Sequence, residues 1–413
     1  MHKYGFHCNR TGDDIFDAIV RLKPDVVKAL DTNVGFWRRV RDVHPDVYLI
    51  GRLYETNNAQ DQFVQDPAGK GNEFANRVLA QEAGSASHQG KLLFDAWESY
   101  NEIMPGHADA SLKQAYDEFQ VAFAGPIKAA GFEPIAMNFA TGNMLAEDFL
   151  TYFQGTLETY TILGFHEYDW PDMWRLHEQN ILEKDEGGMW LTLRYRRIMN
   201  EVRKVYGDRH TLIVTECGMT QGVQGGSDVG PWHESHPISE QRYWDSLMWY
   251  NDELMKDDYM KSACLFVVGA VDPWHSFEHL GGIVNRLEQL QQGNPPPVVT
   301  RPNLPDTPTL PVTPPPVVEP TPVQPSVVEP TVSQPLLGDA LREEGAKKQV
   351  MNFNPEAALQ KVIFGDGFVP NSEEFATTFD GTEYIAQQAE HLGSGEKRVY
   401  YVPVGDWGNV QFV

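Results

Sequence analysis

The chain has 413 residues, 11% of them aromatic including ten tryptophans, and carries a formal charge of −25. That acidity argues against nucleic acid or an anionic membrane surface as a partner and is neutral toward uncharged partners such as sugars. Three cysteines cannot make a disulfide framework; Cys8, Cys217 and Cys264 all lie in strand-like segments and read as small buried apolar groups.

The N-terminus opens directly into a strand, Tyr4-Gly5-Phe6-His7-Cys8, with no charged-then-apolar leader before it. Cytoplasmic residence, another export route and a start lacking its leader all stay open. No run approaches the ~18–20 apolar residues of a membrane span, so no membrane insertion is expected.

Residues 3–8, 26–32, 47–54, 92–97, 134–139, 160–166, 211–216 and 262–269 read as strands. Amphipathic stretches alternate with them, among them Ser111–Ala130, Met189–Tyr206 and Ser239–Lys256, the last opening on a residue suited to cap a helix. Eight strand–helix repeats within residues 1–293 are the count of an α/β fold of the (β/α)8 TIM-barrel type. A doubly wound sheet would advertise a Gly-rich phosphate loop after its first strand, and Gly5–Gly12 holds none.

Residues 294–336 hold 15 of the 28 prolines and repeat themselves, Pro316-Val317-Val318-Glu319-Pro320-Thr321 being echoed by Ser326-Val327-Val328-Glu329-Pro330-Thr331. Such a stretch cannot donate ladder hydrogen bonds and reads as an extended Pro-rich linker, reaching up to about 130 Å at ~3.1 Å per residue. Residues 337–413 then read as a small α+β module of unassigned role, with a helix start at Asn354-Pro355-Glu356 and a strand at Val399-Tyr400-Tyr401-Val402.

Barrel active sites gather at the C-terminal ends of the strands. Those ends offer His7 and Asn9 from the first strand, Arg52 and Glu55 from the third, Asn101 and Glu102 from the fourth, and Asn138 from the fifth. The sixth contributes His166, Tyr168 and Trp170, the seventh Glu216, and Trp274 lies just beyond the eighth. Two glutamates past separate strands suit glycoside hydrolysis, and polar groups mixed with aromatic rings suit a sugar.

The run Trp97-Glu98-Ser99-Tyr100-Asn101-Glu102-Ile103, with Glu216 and His166-Glu167-Tyr168, resembles clan A of the glycoside hydrolases over roughly residues 1–290. The resemblance implies that Glu102 is the general acid/base and Glu216 the nucleophile of a retaining double displacement. It further implies that Asn101 bonds the sugar's 2-hydroxyl, Tyr168 holds Glu216, Trp274 floors the pocket, and no cofactor is needed. Two departures stand out. Ile103-Met104 intervenes before Pro105, and strand 2 ends Ala29-Leu30-Asp31-Thr32-Asn33 without the common arginine, for which Arg52 is the substitute on offer.

Plainer readings stand beside these. Arg52 would serve equally in an internal ion pair with Glu98, and Trp170 and Trp174 would stack on sugars or simply pack. His233–His236 and His275–His279 lack the His-Glu-x-x-His spacing of a zinc hydrolase, so no metal is expected. A linker of this kind favours an extended polysaccharide or cell-wall glycan outside the cell or at its surface, with the C-terminal module free to bind a surface or another protein. A non-catalytic glycan-binding barrel, or a lyase or deacetylase on the same fold, remains the alternative.

Overall fold

In a computed structural model, the structure describes residues 2–55, 61–106, 108–178, 189–224, 227–234 and 237–302, and beyond these 368–370, 375–379, 382–391, 397–403 and 411–412. The chain divides into two compact units, residues 1–309 and 310–413.

The first unit is a closed barrel of eight parallel strands. They are β1 (Tyr4–Cys8), β2 (Val26–Ala29), β3 (Tyr48–Gly51), β4 (Ala96–Glu98), β5 (Glu133–Phe139), β6 (Ile162–Asp169), β7 (Thr211–Met219) and β8 (Met260–Phe266). Each pairs with its sequence neighbours and β8 closes on β1, which makes the fold a TIM barrel and excludes the doubly wound sheet. The covering helices include α1 (Asp13–Leu22), α2 (Val34–Val43), α3 (Pro67–Leu79), α4 (Ala110–Ala129), α5 (Ala146–Tyr152), α6 (Arg194–Tyr206), α7 (Glu240–Leu254) and α8 (Gly282–Gln291).

The helices form where an apolar stripe meets a capping residue. In α1 the buried side chains are Ile15, Ala18, Ile19 and Leu22, one face of a 3.6-residue period. Each contributes about 1.5–3 kcal/mol of burial for the larger aliphatics. Ser239 caps α7 by accepting from the Arg242 N–H. Asp109, rather than Ser111, caps α4 by accepting from the Leu112 N–H, so that helix starts one residue earlier than its apolar pattern suggests.

Helix α6 starts at Arg194 and not near Met189. Its first turn is held by Glu167 of β6, which accepts from the backbone N–H groups of Leu193 and Tyr195 and from the Tyr250 hydroxyl. A buried carboxylate at a helix N-terminus stops the chain from winding further back.

Inside the barrel, Val26, Ile50, Ala96, Ile135, Ile162, Ile213 and Cys264 form one apolar cluster. Side chains two residues further along a strand share its face. Polar groups therefore follow at the next level, with Lys28 two residues past Val26, Glu98 past Ala96, and Thr215 past Ile213. All three cysteines are free and buried. The apolar floor excludes water from below, and the polar level above it supports the site.

Residues 294–302 run along the barrel instead of leaving it. Asp245 of α7 accepts from the Val299 and Thr300 N–H groups at 3.1 and 2.8 Å, and Gln241 donates to the Pro297 carbonyl at 2.9 Å. Residues 303–336, most of the Pro-rich stretch, lie outside the described residues, as does the expected helix start at Asn354.

In the second unit the described residues are all strand: β9 (Phe368–Pro370), β10 (Phe375–Phe379), β11 (Thr382–His391), β12 (Lys397–Pro403) and β13 (Gln411–Phe412). They form an antiparallel sheet in which β11 pairs with β9, β10 and β12, and β12 pairs with β13. Strand β12 contains the expected Val399–Val402 segment, and Val399, Tyr400 and Val402 are buried.

Candidate active site

A cleft of about 800 Å³ opens at the C-terminal ends of the strands. It is lined by His7, Asn9, Arg52, Asn101, Glu102, Tyr168, Glu216 and Trp274 among the expected residues, and also by Tyr54, Phe266 and Phe277. Trp274 meets Phe266 and Phe277 edge-on, with ring centroids 5.4 and 5.9 Å away. These rings form an apolar wall of the cleft, and Phe266 also meets His7 and Tyr168 edge-on.

Glu216 reaches the cleft because β7 is irregular. In its pairing with β6, Phe165 matches Val214 and His166 matches Glu216, which leaves Thr215 as an extra residue. Strict alternation would turn Glu216 away from the interior once Thr215 points into it. The bulge lets both point inward, a common device beside active sites. Thr215 donates to Asn138 Oδ1 at 3.2 Å, while Glu216 turns up toward the cleft.

The Glu216 carboxyl is almost wholly buried and surrounded by donors. Oε1 accepts from Lys28 Nζ at 3.0 Å and from Arg52 Nη1 at 3.2 Å, and lies 3.5 Å from His7 Nδ1. Oε2 accepts from the Tyr168 hydroxyl at 3.1 Å and lies 3.5 Å from His166 Nδ1. Burial by itself would push this carboxyl up, but the neighbouring His166, Lys28 and Arg52 outweigh it and hold Glu216 well below the usual carboxylate range. Burial, with the nearby Glu216 and Glu102 charges, pushes the Tyr168 phenol well up, so it stays a donor. Burial, then the Lys28 charge, pushes the His7 imidazole well down and favours its neutral form.

Glu102 is differently placed. Its side chain is 38% exposed, and His166 Nδ1 lies 2.6 Å from its Oε1. The Glu102 backbone has a φ of 52°, the left-handed region that non-glycine residues rarely enter. A hydrogen bond from its N–H to the Asn138 carbonyl, 3.0 Å long, supports that conformation. Asn138 in turn sits at a bulge of β5, where the pairing with β6 shifts between Met137 and Phe139.

Not every expected residue faces the cleft. The Asn138 side chain is fully buried and accepts from Thr215, so its link to the site runs through its backbone carbonyl. Gly164 makes room for it, since a Cβ there would lie 2.2 Å from Asn138 Oδ1. His166 is buried behind Glu102 and Glu216 and is not part of the lining. Trp170 borders a side lobe of about 570 Å³, shared with Thr141, Tyr168, Arg175 and Thr220. Trp174 is buried against Trp249 and packs.

Lys28 and Glu98 were the residues least expected in these roles. Arg52 pairs with Glu216, and the partner of Glu98 is Lys28, 3.0 Å from Oε2. The signal was present in the chain: Lys28 interrupts the apolar run Val26-Val27-Lys28-Ala29-Leu30, where a charge must find a buried partner.

Glu102, His166 and Glu216 bring one candidate ligand atom each within 4.8 Å of one another. The ammonium of Lys28 and the guanidinium of Arg52 already neutralise Glu216 there, which disfavours a divalent cation. His233 and His275–His279 contribute to no such group among the described residues, and His236 lies outside them. No described helix is long and apolar enough to cross a membrane.

No protein-family model matches the chain, and no curated protein matches it. Similar solved structures include a GH128 (subgroup I) endo-beta-1,3-glucanase from Amycolatopsis mediterranei, at 9% identity and TM-score 0.40, covering 68% of this chain and 97% of that one. A GH128 (subgroup V) exo-beta-1,3-glucanase from Cryptococcus neoformans is similar at 14% identity and TM-score 0.36, covering 72% and 96%. A GH2 beta-galacturonidase from Eisenbergiella tayi is similar at 12% identity and TM-score 0.43, covering 71% and 51%.

Proposed function

We propose that the barrel is a retaining glycoside hydrolase acting on a polysaccharide or cell-wall glycan, with Glu216 as nucleophile and Glu102 as general acid/base. The observation that carries this reading is the unequal treatment of two close carboxylates. An oxygen of each lies within 4.8 Å of the other, close enough for both carboxyl groups to act on one glycosidic bond. One is buried among cations and kept anionic; the other is half-exposed beside a histidine.

In the first step Glu216 attacks the anomeric carbon as the bond to the leaving oxygen breaks, and Glu102 gives that oxygen its proton. In the second, Glu102 takes a proton from water, which attacks the glycosyl ester and releases Glu216 as a carboxylate. Asn101 at the cleft wall would bond a hydroxyl beside the anomeric carbon, and Trp274 would cover the apolar face of the ring. Trp170 would contact a further sugar in the side lobe. The Pro-rich stretch and the C-terminal sheet would tether the enzyme to a surface or another protein.

The test is a panel of aryl glycosides in gluco, galacto, manno and xylo series, both anomers, with the parent protein and Glu216→Ala. Turnover of at least one member, abolished by the substitution, is expected. Turnover that survives Glu216→Ala unchanged removes the nucleophile assignment, and a panel left wholly uncleaved favours a glycan-binding barrel.

A further inference from the structure

We propose that Lys28 is the positioning residue of the nucleophile, holding Glu216 by Oε1 while Glu98, paired with the same ammonium, holds Lys28 in place. The inference rests on the reading of Glu216 given above. Lys28 Nζ lies 3.0 Å from Glu216 Oε1 and 3.0 Å from Glu98 Oε2. The side chains of Lys28 and Glu98 are both 0% exposed. Among the described residues no donor hydrogen-bonds either oxygen of Glu98, so the Lys28 ion pair is the contact that answers its charge. A fully buried carboxylate is costly unless paired, and the Lys28 ammonium is the charge that pairs it.

Arg52 also contacts Oε1, but it lines the cleft and is partly exposed, free to lean toward substrate. Lys28 has no such freedom. Its side chain stands on the apolar barrel floor and ends between two acids. Two carboxyl groups, Glu98 and Glu216, thus share two basic side chains, Lys28 and Arg52. The groups facing Glu216 are His7 from β1, Lys28 from β2, Arg52 after β3, Glu98 from β4, Glu102 after β4, and His166 and Tyr168 from β6. Cys217 follows it on β7, and Cys264 of β8 lies near the Lys28 pair.

A bystander ion pair would stabilise the barrel without touching the reaction, so the test must separate the two. Glu216 works as an anion, and activity is lost as pH falls through its pKa. Removing a contacting cation raises that pKa and moves the acidic limb of kcat/KM upward. Lys28→Met alone would strand Glu98 as an unpaired buried charge and risk unfolding. The double variant Lys28→Met/Glu98→Gln keeps the charge balanced. Its net effect on Glu216 is expected upward, because Lys28 contacts Glu216 Oε1 directly at 3.0 Å.

The experiment measures kcat and KM against pH for the fastest aryl glycoside of the panel, with melting temperatures, for the parent protein, the double variant, Glu98→Gln and Glu216→Gln. A folded double variant is expected to show its acidic limb about one pH unit higher or more. Its kcat should fall at least about tenfold, the loss of a hydrogen bond to a charged group. Glu98→Gln keeps Lys28 on Glu216, and its limb is expected at or below that of the parent. A folded double variant with the parent's limb and kcat, or an upward limb in Glu98→Gln, overturns the proposal. Full activity in Glu216→Gln overturns the underlying reading instead, so the failures are told apart.

Discussion

Glu216 stands directly across the sheet from His166 because β7 carries one residue, Thr215, more than β6 does at that point. That extra residue turns an outward position into a site-facing one and hands the inward one to Thr215. The bulge and the bond from Thr215 to Asn138 tie the nucleophile candidate to the β5 bulge that supports Glu102. Both acids are thereby linked to Asn138, Glu102 through that residue's backbone carbonyl and Glu216 through the side chain of neighbouring Thr215.

Thr215→Val tests that connection. It keeps the shape and removes the hydroxyl that donates to Asn138 Oδ1, leaving a buried acceptor without its partner. The expected cost is about 1–3 kcal/mol of stability, read as a lower midpoint in urea unfolding with an unchanged slope. A midpoint equal to the parent's would mean the bond contributes nothing.

Glu102→Gln separates acid catalysis from attack. Removal of a general acid typically costs 10²–10⁴-fold, roughly, where the leaving group needs its proton. Turnover of an unactivated oligosaccharide should fall by that much, whereas a dinitrophenyl glycoside, whose leaving group departs unaided, should lose far less in glycosyl transfer to Glu216. Equal losses on both substrates would assign Glu102 another role.

Glu167 makes stability depend on pH. Its carboxyl is fully buried and pushed up to about 7 by desolvation, against an ordinary 4.5, even though Tyr250, Tyr195 and Leu193 donate to it. The folded state therefore binds more protons than the unfolded one between those values. The stability this group contributes is full below about 4.5 and is lost as pH rises through about 7. Its size is on the order of 2–4 kcal/mol at about 1.4 kcal/mol per unit. Denaturation of the parent and of Glu167→Gln at pH 5 and pH 8 should show the parent losing stability relative to the variant at the higher pH. A constant difference would rule the effect out.

Asp245 holds the chain where it leaves α8. Asp245→Ala removes the acceptor for the Val299 and Thr300 N–H groups and should expose residues 294–302 to limited proteolysis while leaving turnover intact. Unchanged digestion would show that the remaining contacts, among them the Gln241 bond to the Pro297 carbonyl, secure that segment without Asp245.

Much of this was legible in the chain. All eight barrel strands announce themselves by apolar runs, because a parallel strand buried on both faces has little freedom in composition. The strand ends that carry Asn101, Glu102, Tyr168, Glu216 and Trp274 follow from that count. What escaped the reading depends on bulges and on depth. Asn138 sits at a strand end yet points into the barrel, since the β5 bulge shifts its phase by one residue. His166 has the spacing of a cleft residue but lies behind the acids. Lys28 carries a charge in mid-strand, and its partners on β4 and β7 are 70 and 188 residues away in sequence, beyond any local pattern. The start of α6 is set by Glu167 across a tertiary contact, which no helical periodicity contains.

The central claim is that Glu216 bonds covalently to the sugar. A 2-deoxy-2-fluoro glycoside with a dinitrophenyl leaving group, of the sugar series cleaved by the parent protein, slows breakdown of that ester enough to weigh it. Peptide mass spectrometry of the inactivated protein should find one glycosyl group per chain, on the peptide containing Glu216. A label on Glu102, or an unlabelled chain that turns the corresponding natural glycoside into a product of inverted configuration, would contradict the account.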